Sequence, residues 1–224
     1  MKKLALLSTL FSACIISFTG CKDDSTPPEI TITGDPHVLT PKGGIYVDAG
    51  ATASDDKDES VYVISDFSLD NPDNDVAGDY FITYTAQDRA ANSSTAKRTV
   101  SVTYTVWQLN HNYNVTDICL NDSLLNLPPY SCSVVVDTNY VYRTYFTNFM
   151  GLFSGLTYIE PVGTKLTMPQ QKPDGIFSPL IVSGTGTIGF DSTTGIYTWV
   201  INYTFSDETG TIPTQTRRAT FVSF

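Results

Sequence analysis

The feature that most constrains this chain is a two-residue rhythm of apolar and polar side chains, broken at short intervals by turn residues. It is clearest over residues 195–206, where Tyr197, Trp199, Ile201, Tyr203 and Phe205 alternate with Thr198, Val200, Asn202, Thr204 and Ser206. Successive side chains of a strand point to opposite faces, so this segment reads as an antiparallel strand with one buried face. No stretch after Ser25 keeps a helical period over three turns, and Gly, Pro, Asn and Asp recur between the alternating runs. An all-β fold follows.

Two blocks emerge. Residues 28–105 hold alternating runs at 29–33, 46–51, 61–65, 79–86 and 97–103, dense enough with turns for an immunoglobulin-like sandwich. In the fourth run Tyr80, Ile82, Tyr84 and Ala86 share a face. Residues 107–224 offer strands at 113–119, 130–137, 140–148, 165–168, 180–190, 195–206 and 217–224. Their short connections predict an up-and-down antiparallel meander, closed as a barrel or packed as a sandwich. Ser183-Gly184-Thr185-Gly186-Thr187 is a strand thinned by glycine, the mark of a bend or a barrel corner.

The chain opens differently. Met1-Lys2-Lys3 precedes an almost uncharged apolar run from Leu4 to Phe18, too short to span a bilayer and of the length of a signal peptide. It ends Thr19-Gly20-Cys21, which resembles a bacterial lipoprotein signal. That resemblance implies removal of residues 1–20, acylation of Cys21 with palmitate-type chains, and a tether over 21–27. Lys22-Asp23-Asp24-Ser25 resembles the Bacteroidetes lipoprotein export signal, which implies display on the outer face of the outer membrane. The expected membrane partner is therefore reached through lipid.

Two further resemblances concern the blocks. Pro27-Pro28-Glu29-Ile30, Asp48-Ala49-Gly50-Ala51-Thr52-Ala53 and the run from Gly78 to Asp88 resemble the Ig-like domain of pesticidal crystal proteins and bacterial surface lipoproteins. The usual Asp-x-Ala-Gly-Asn ending departs here to Asp88-Arg89-Ala90-Ala91-Asn92. This family implies a spacer or adhesive module without catalysis. Tyr113 to Cys119, Thr147-Asn148-Phe149 and Leu166-Thr167-Met168-Pro169-Gln170 resemble the lipocalin-like C-terminal domains of Bacteroidetes surface lipoproteins, which implies architecture rather than activity.

Composition excludes several functions. With 23 acidic against 13 basic residues the chain carries a formal charge of −10, unsuited to nucleic acid. Catalytic signatures are thin. His37 adjoins a proline turn and His111 lies between the blocks; there is no nucleophile elbow, phosphate loop or dinucleotide fingerprint. The expectation is a non-enzyme without cofactor. A structural subunit of an outer-membrane assembly is the first rival reading and a hydrolase the second.

Three sets of residues carry the site expectations. Cys119 and Cys132 flank an expected hairpin in an oxidising compartment, which predicts a disulfide. Acids crowd between Asp55 and Asp88; if they hold calcium, Asp55, Asp56 and Asp88 are the ligands, against the plainer alternative of a solvated acidic surface. Tyr140, Tyr142, Tyr145, Phe149, Phe153 and Tyr158 crowd one segment, where they serve either as core or as a platform for a glycan or protein ligand. Met150 to Leu156, apolar and glycine-flanked, is the candidate loop over such a pocket. Asp24-Ser25-Thr26, Asp122-Ser123-Leu124 and Asp191-Ser192-Thr193 resemble the O-glycosylation sequon of this bacterial group.

Overall fold

The computed structural model describes residues 24–68, 71–152, 155–173 and 180–224. The expected signal peptide, Cys21, Asp70 and Phe153 lie outside the described residues. The fold is all-β. Strands β1 (Glu29–Ile32) and β3 (Ala51–Ser54) pair with each other, facing a four-stranded sheet. That sheet runs in the order β2 (His37–Pro41), β6 (Ser93–Thr103), β5 (Gly78–Gln87) and β4 (Val63–Ser65), with β2 parallel to β6. The predicted inward face of β5 is the real one, since Ile82, Tyr84 and Ala86 are buried.

Residues 46–51, expected as a strand, stay outside the ladders except at Ala51. Side chains hold the segment instead. Arg98, buried at 1% exposure, donates to Asp48, to the Tyr46 hydroxyl and to the Thr33 carbonyl, while Tyr84 donates to Asp48 at 2.6 Å. A buried guanidinium needs its hydrogens matched, and the backbone of this segment turns to match them.

The second block is a closed barrel, which resolves the barrel-or-sandwich alternative. Strands β7 (Asn112–Cys119), β8 (Tyr130–Val135), β9 (Thr144–Phe146), β10 (Thr157–Val162), β11 (Lys165–Gln171), β12 (Leu180–Asp191), β13 (Ile196–Asp207) and β14 (Gln215–Ser223) pair in sequence, and β14 closes on β7. An eight-stranded barrel is just wide enough for side chains to fill. Here Trp199, Tyr113, Phe146 and Phe221 fill it, with ring centroids 5.1–5.2 Å apart for Trp199 with Phe146 and with Tyr113. Gly184 and Gly186 of β12 follow from close strand approach: a Cβ on either would collide with the backbone of β13, at the Asn202 and Val200 carbonyl oxygens.

Cys119 and Cys132 are both free and buried, contrary to the expected disulfide. Register gives the reason. Cys132 stands opposite Tyr113, six residues before Cys119 on the same strand, which separates the two α-carbons by about 20 Å at strand rise. A disulfide needs under about 7 Å. The connection is lopsided: the Cys119 amide donates to Asn126 Oδ1 at 2.8 Å, so the chain folds back early and β8 begins only after Leu127-Pro128-Pro129. Burial pushes the Cys132 thiol up to about 12, so it stays protonated.

The barrel closes around a buried charge pair. Arg217 on β14 donates through Nε to Asp117 of β7 at 2.9 Å, and the Tyr203 hydroxyl of β13 donates to the other carboxylate oxygen at 2.6 Å. Both charged residues are essentially solvent-free. Burial alone pushes the Asp117 carboxyl up; the Tyr203 and Arg217 donors oppose that shift. Removing one partner leaves an uncompensated buried charge, so Arg217→Met is expected to destabilise the chain by roughly 3–5 kcal/mol in urea melts. Arg217→Met with Asp117→Leu is expected to recover most of that loss. A double variant no more stable than the single one would contradict this account of the seam.

Candidate functional site

The two domains meet through main-chain and side-chain bonds. The Gly163 amide, in the turn between β10 and β11, donates to Thr103 Oγ1 of β6 at 2.8 Å in buried surroundings. Gly163 has φ +59°, and a Cβ there would lie 3.0 Å from Asp79 Oδ1, so the turn needs glycine twice over. Lys165 Nζ reaches Asp79 Oδ2 at 2.6 Å, while Ser101 donates to Oδ1 at 2.7 Å. In the interdomain connection the Val106 amide donates to the Val141 carbonyl at 2.9 Å. Ala77 and Tyr104 join the same apolar cluster as the barrel core.

Beside this junction lies a cavity of about 450 Å³, within the range of small-ligand and peptide pockets. One wall is Leu39 of β2, from the first domain; the other comes from the segment 139–143 and from Glu160, Pro161 and Val162 of β10. The lining is mostly apolar, with Leu39, Tyr140, Val141 and Val162 all well exposed. Its charged groups are engaged with each other: Arg143 donates through Nε and Nη2 to Glu160 Oε1 at 3.1 and 2.7 Å. The guanidinium also lies between two rings, 4.3 Å from the Tyr140 centroid and 4.5 Å from that of Tyr158. Hydrogen bonding with Tyr145 and Glu160 raises its pKa further, fixing the charge.

Of the aromatic residues expected to bind, Tyr140 and Tyr142 line this cavity, and Tyr158 packs behind Arg143 and on Tyr145 at 5.6 Å. Phe149 does not belong with them. It is fully buried, packed on Tyr203 and Phe221 inside the barrel, with Met150 buried beside it. Phe149 and Met150 therefore plug the barrel. The Met150 amide donates to the Tyr130 hydroxyl at 3.0 Å, which holds the plug in place. Leu39, Arg143, Glu160 and Val162 were not singled out by sequence. Strand β2 is only five residues long and bounded by prolines, and β10 carries Pro161, so neither presents a long alternation.

The acidic residues also sort differently from expectation. Asp55 and Asp88 do approach each other, but the third carboxylate is Asp24, all three offering oxygens within 4.8 Å. Asp56 faces Lys57 instead, at 2.9 Å. Asp55 accepts the amides of Lys57 and Asp58, which hold its carboxyl below the usual range, and Asp88 accepts two bonds from Asn92. With one oxygen from each carboxylate, calcium would need backbone carbonyls, water or bidentate contacts to reach the six to eight oxygens it takes.

The fold and the groove together define a two-domain β scaffold with an exposed, mostly apolar groove beside the junction of its domains. Residues 30–102 match the family model described as the Ig-like domain of bacterial surface proteins, so the first domain is similar to that class over this span. Among solved structures, a lipoprotein of Bacteroides thetaiotaomicron is similar at 16% identity, over 88% of this chain and 100% of that one, with a TM-score of 0.34. A score that low bears on neither fold nor function. No curated protein matches the chain. No helix among the described residues is long and apolar enough to cross a membrane.

The junction carries a pH signature. Bonds from Lys165 and Ser101 hold the Asp79 carboxyl below its ordinary value of 3.8. A carboxylate depressed on folding stabilises above its unfolded pKa, and the effect is lost as pH falls through the folded one. Because Lys165 is largely exposed, the contribution is on the order of 0.5 kcal/mol. Asp79→Asn is therefore expected to melt slightly earlier than the native chain at neutral pH, with the gap closing below about pH 4. A gap that persists unchanged at pH 2.5 would contradict the assignment.

Proposed function

We propose that this chain is a non-enzymatic surface lipoprotein that recognises a glycan or protein partner through the groove between its two domains. In this reading Cys21 is acylated, the polar residues after it form a tether to the outer membrane, and the Ig-like domain holds the barrel away from the lipid. The barrel contributes the larger wall of the groove and the Ig-like domain contributes Leu39. The observation that carries the reading is this apolar cavity with walls from both domains, exposed beside a bonded junction. Exposed apolar surface that folding leaves uncovered marks sites of interaction.

A second reading, a structural subunit of an outer-membrane assembly, draws support from another surface. Tyr62, Ile64 and Phe81 are exposed at 87%, 72% and 55%. They share the outer face of the β4–β5 pair, because Ile64 stands opposite Thr85. The two readings separate by mutation. The labelled chain without residues 1–20 is applied to glycan and peptide arrays as native protein, as Val162→Asp and as Phe81→Ser. Both domains build the groove, so the whole chain is needed. The expected result is binding that Val162→Asp abolishes and Phe81→Ser leaves intact. Binding indifferent to Val162→Asp would place recognition elsewhere.

A further inference from the structure

The groove is bordered by an open strand edge. In the four-stranded sheet β2 is terminal, with β6 on one side and no strand on the other. The Thr99 amide donates to the Pro36 carbonyl at 2.9 Å, and the Lys42 amide donates to the Thr103 carbonyl at 2.9 Å. These two bonds fix the phase of the parallel ladder: residues 36, 38, 40 and 42 turn toward β6, and His37, Leu39 and Pro41 turn away. Two of the outward groups are occupied, the His37 amide by Asp35 Oδ1 and the Pro41 carbonyl by the Gly44 amide, both at 2.8 Å. Pro41 has no amide hydrogen. The outward amide and carbonyl of Leu39, with the His37 carbonyl, have no hydrogen-bond partner among the described residues. Leu39 is the residue that walls the cavity.

We propose that the groove takes an extended apolar peptide, which adds to β2 as a short strand and pairs with the main chain of Leu39. This deepens, and rests on, the recognition role proposed for the groove. Strand addition draws affinity from main-chain bonds and specificity from pockets for alternate side chains. Both are present: the donor and acceptor of Leu39 lie on the open edge, and Val141, Pro161 and Val162 form an apolar wall for every second side chain of an added strand. The groove also continues the bonded junction of the two domains, so its walls are already fixed when a partner arrives. The observations favour a peptide over a glycan. A sugar needs free aromatic faces and free polar groups, whereas Arg143 is stacked against Tyr140 and Tyr158 and is bonded to Glu160. Pro41 ends the open edge, which limits the addition to about three residues of pairing and keeps the strand from propagating.

The test uses the chain without residues 1–20 on an array of heptapeptides in which Val, Ile, Leu, Phe or Tyr alternates with Thr or Ser. A parallel array carries the same peptides N-methylated at alternate amides, and a glycan array runs beside both. The expected result is binding to a subset of the plain peptides, reduced at least about tenfold by N-methylation, since each lost main-chain bond weakens pairing. Leu39→Pro removes the edge amide at a position where strands accept proline, and is expected to give a similar loss with a native melt. Leu39→Ala keeps the main chain and is expected to lose less. Peptide binding insensitive to both N-methylation and Leu39→Pro would overturn strand addition and leave a recognition groove. Glycan binding with silent peptides would do the same. Silence on every array would overturn the recognition role as well.

Discussion

The arrangement of this protein depends on the junction where the turn at Gly163 rests on the end of β6. One buried amide donates to one threonine hydroxyl, and glycine at 163 lets the barrel approach closely enough for that bond. The Lys165–Asp79 pair and the Val106–Val141 bond then flank it. An interface built only from exposed ion pairs would let the domains swing, because such pairs contribute little. A buried main-chain donor is different, since leaving it unmatched costs its full desolvation. The groove exists because this contact brings Leu39 of one domain opposite Val141 and Val162 of the other.

Each domain is organised around a buried arginine. Arg98 gathers the turn at 33–35 and the segment at 46–50, and Arg217 joins the first and last strands of the barrel. Both pair with an aspartate that a tyrosine also reaches. Such clusters are weak evidence for stability, because desolvation offsets the attraction. They do fix geometry: a guanidinium with five hydrogens accepts few alternative packings. With the interior occupied by these clusters and by aromatic rings, the space open to a ligand lies on the outer surface.

Much of this was legible in the sequence. The alternation over 195–206 and 79–86 gave the correct faces, and the even spacing of turns gave a meander in the second block. What stayed hidden was set by register and by short elements. Cys119 and Cys132 look paired along the chain, yet a lopsided connection puts Tyr113, not Cys119, opposite Cys132. Phe149 looks like its aromatic neighbours, but a left-handed backbone at Asn148 turns it into the core. The tyrosine-rich segment pointed to the groove through Tyr140 and Tyr142; its partner wall, Leu39, sits on a strand too short to announce itself. Asp24 joins Asp55 and Asp88 because Asn92 holds its carbonyl against the first domain.

The central claim is that β2 presents an open main-chain edge to the groove. Residue-resolved amide hydrogen exchange in the free chain measures this directly. The account predicts slow exchange at Val38 and Thr40, whose amides lie in the ladder to β6, and fast exchange at Leu39 between them. Protection at Leu39 equal to that of its two neighbours would mean the edge is already covered, and would contradict it.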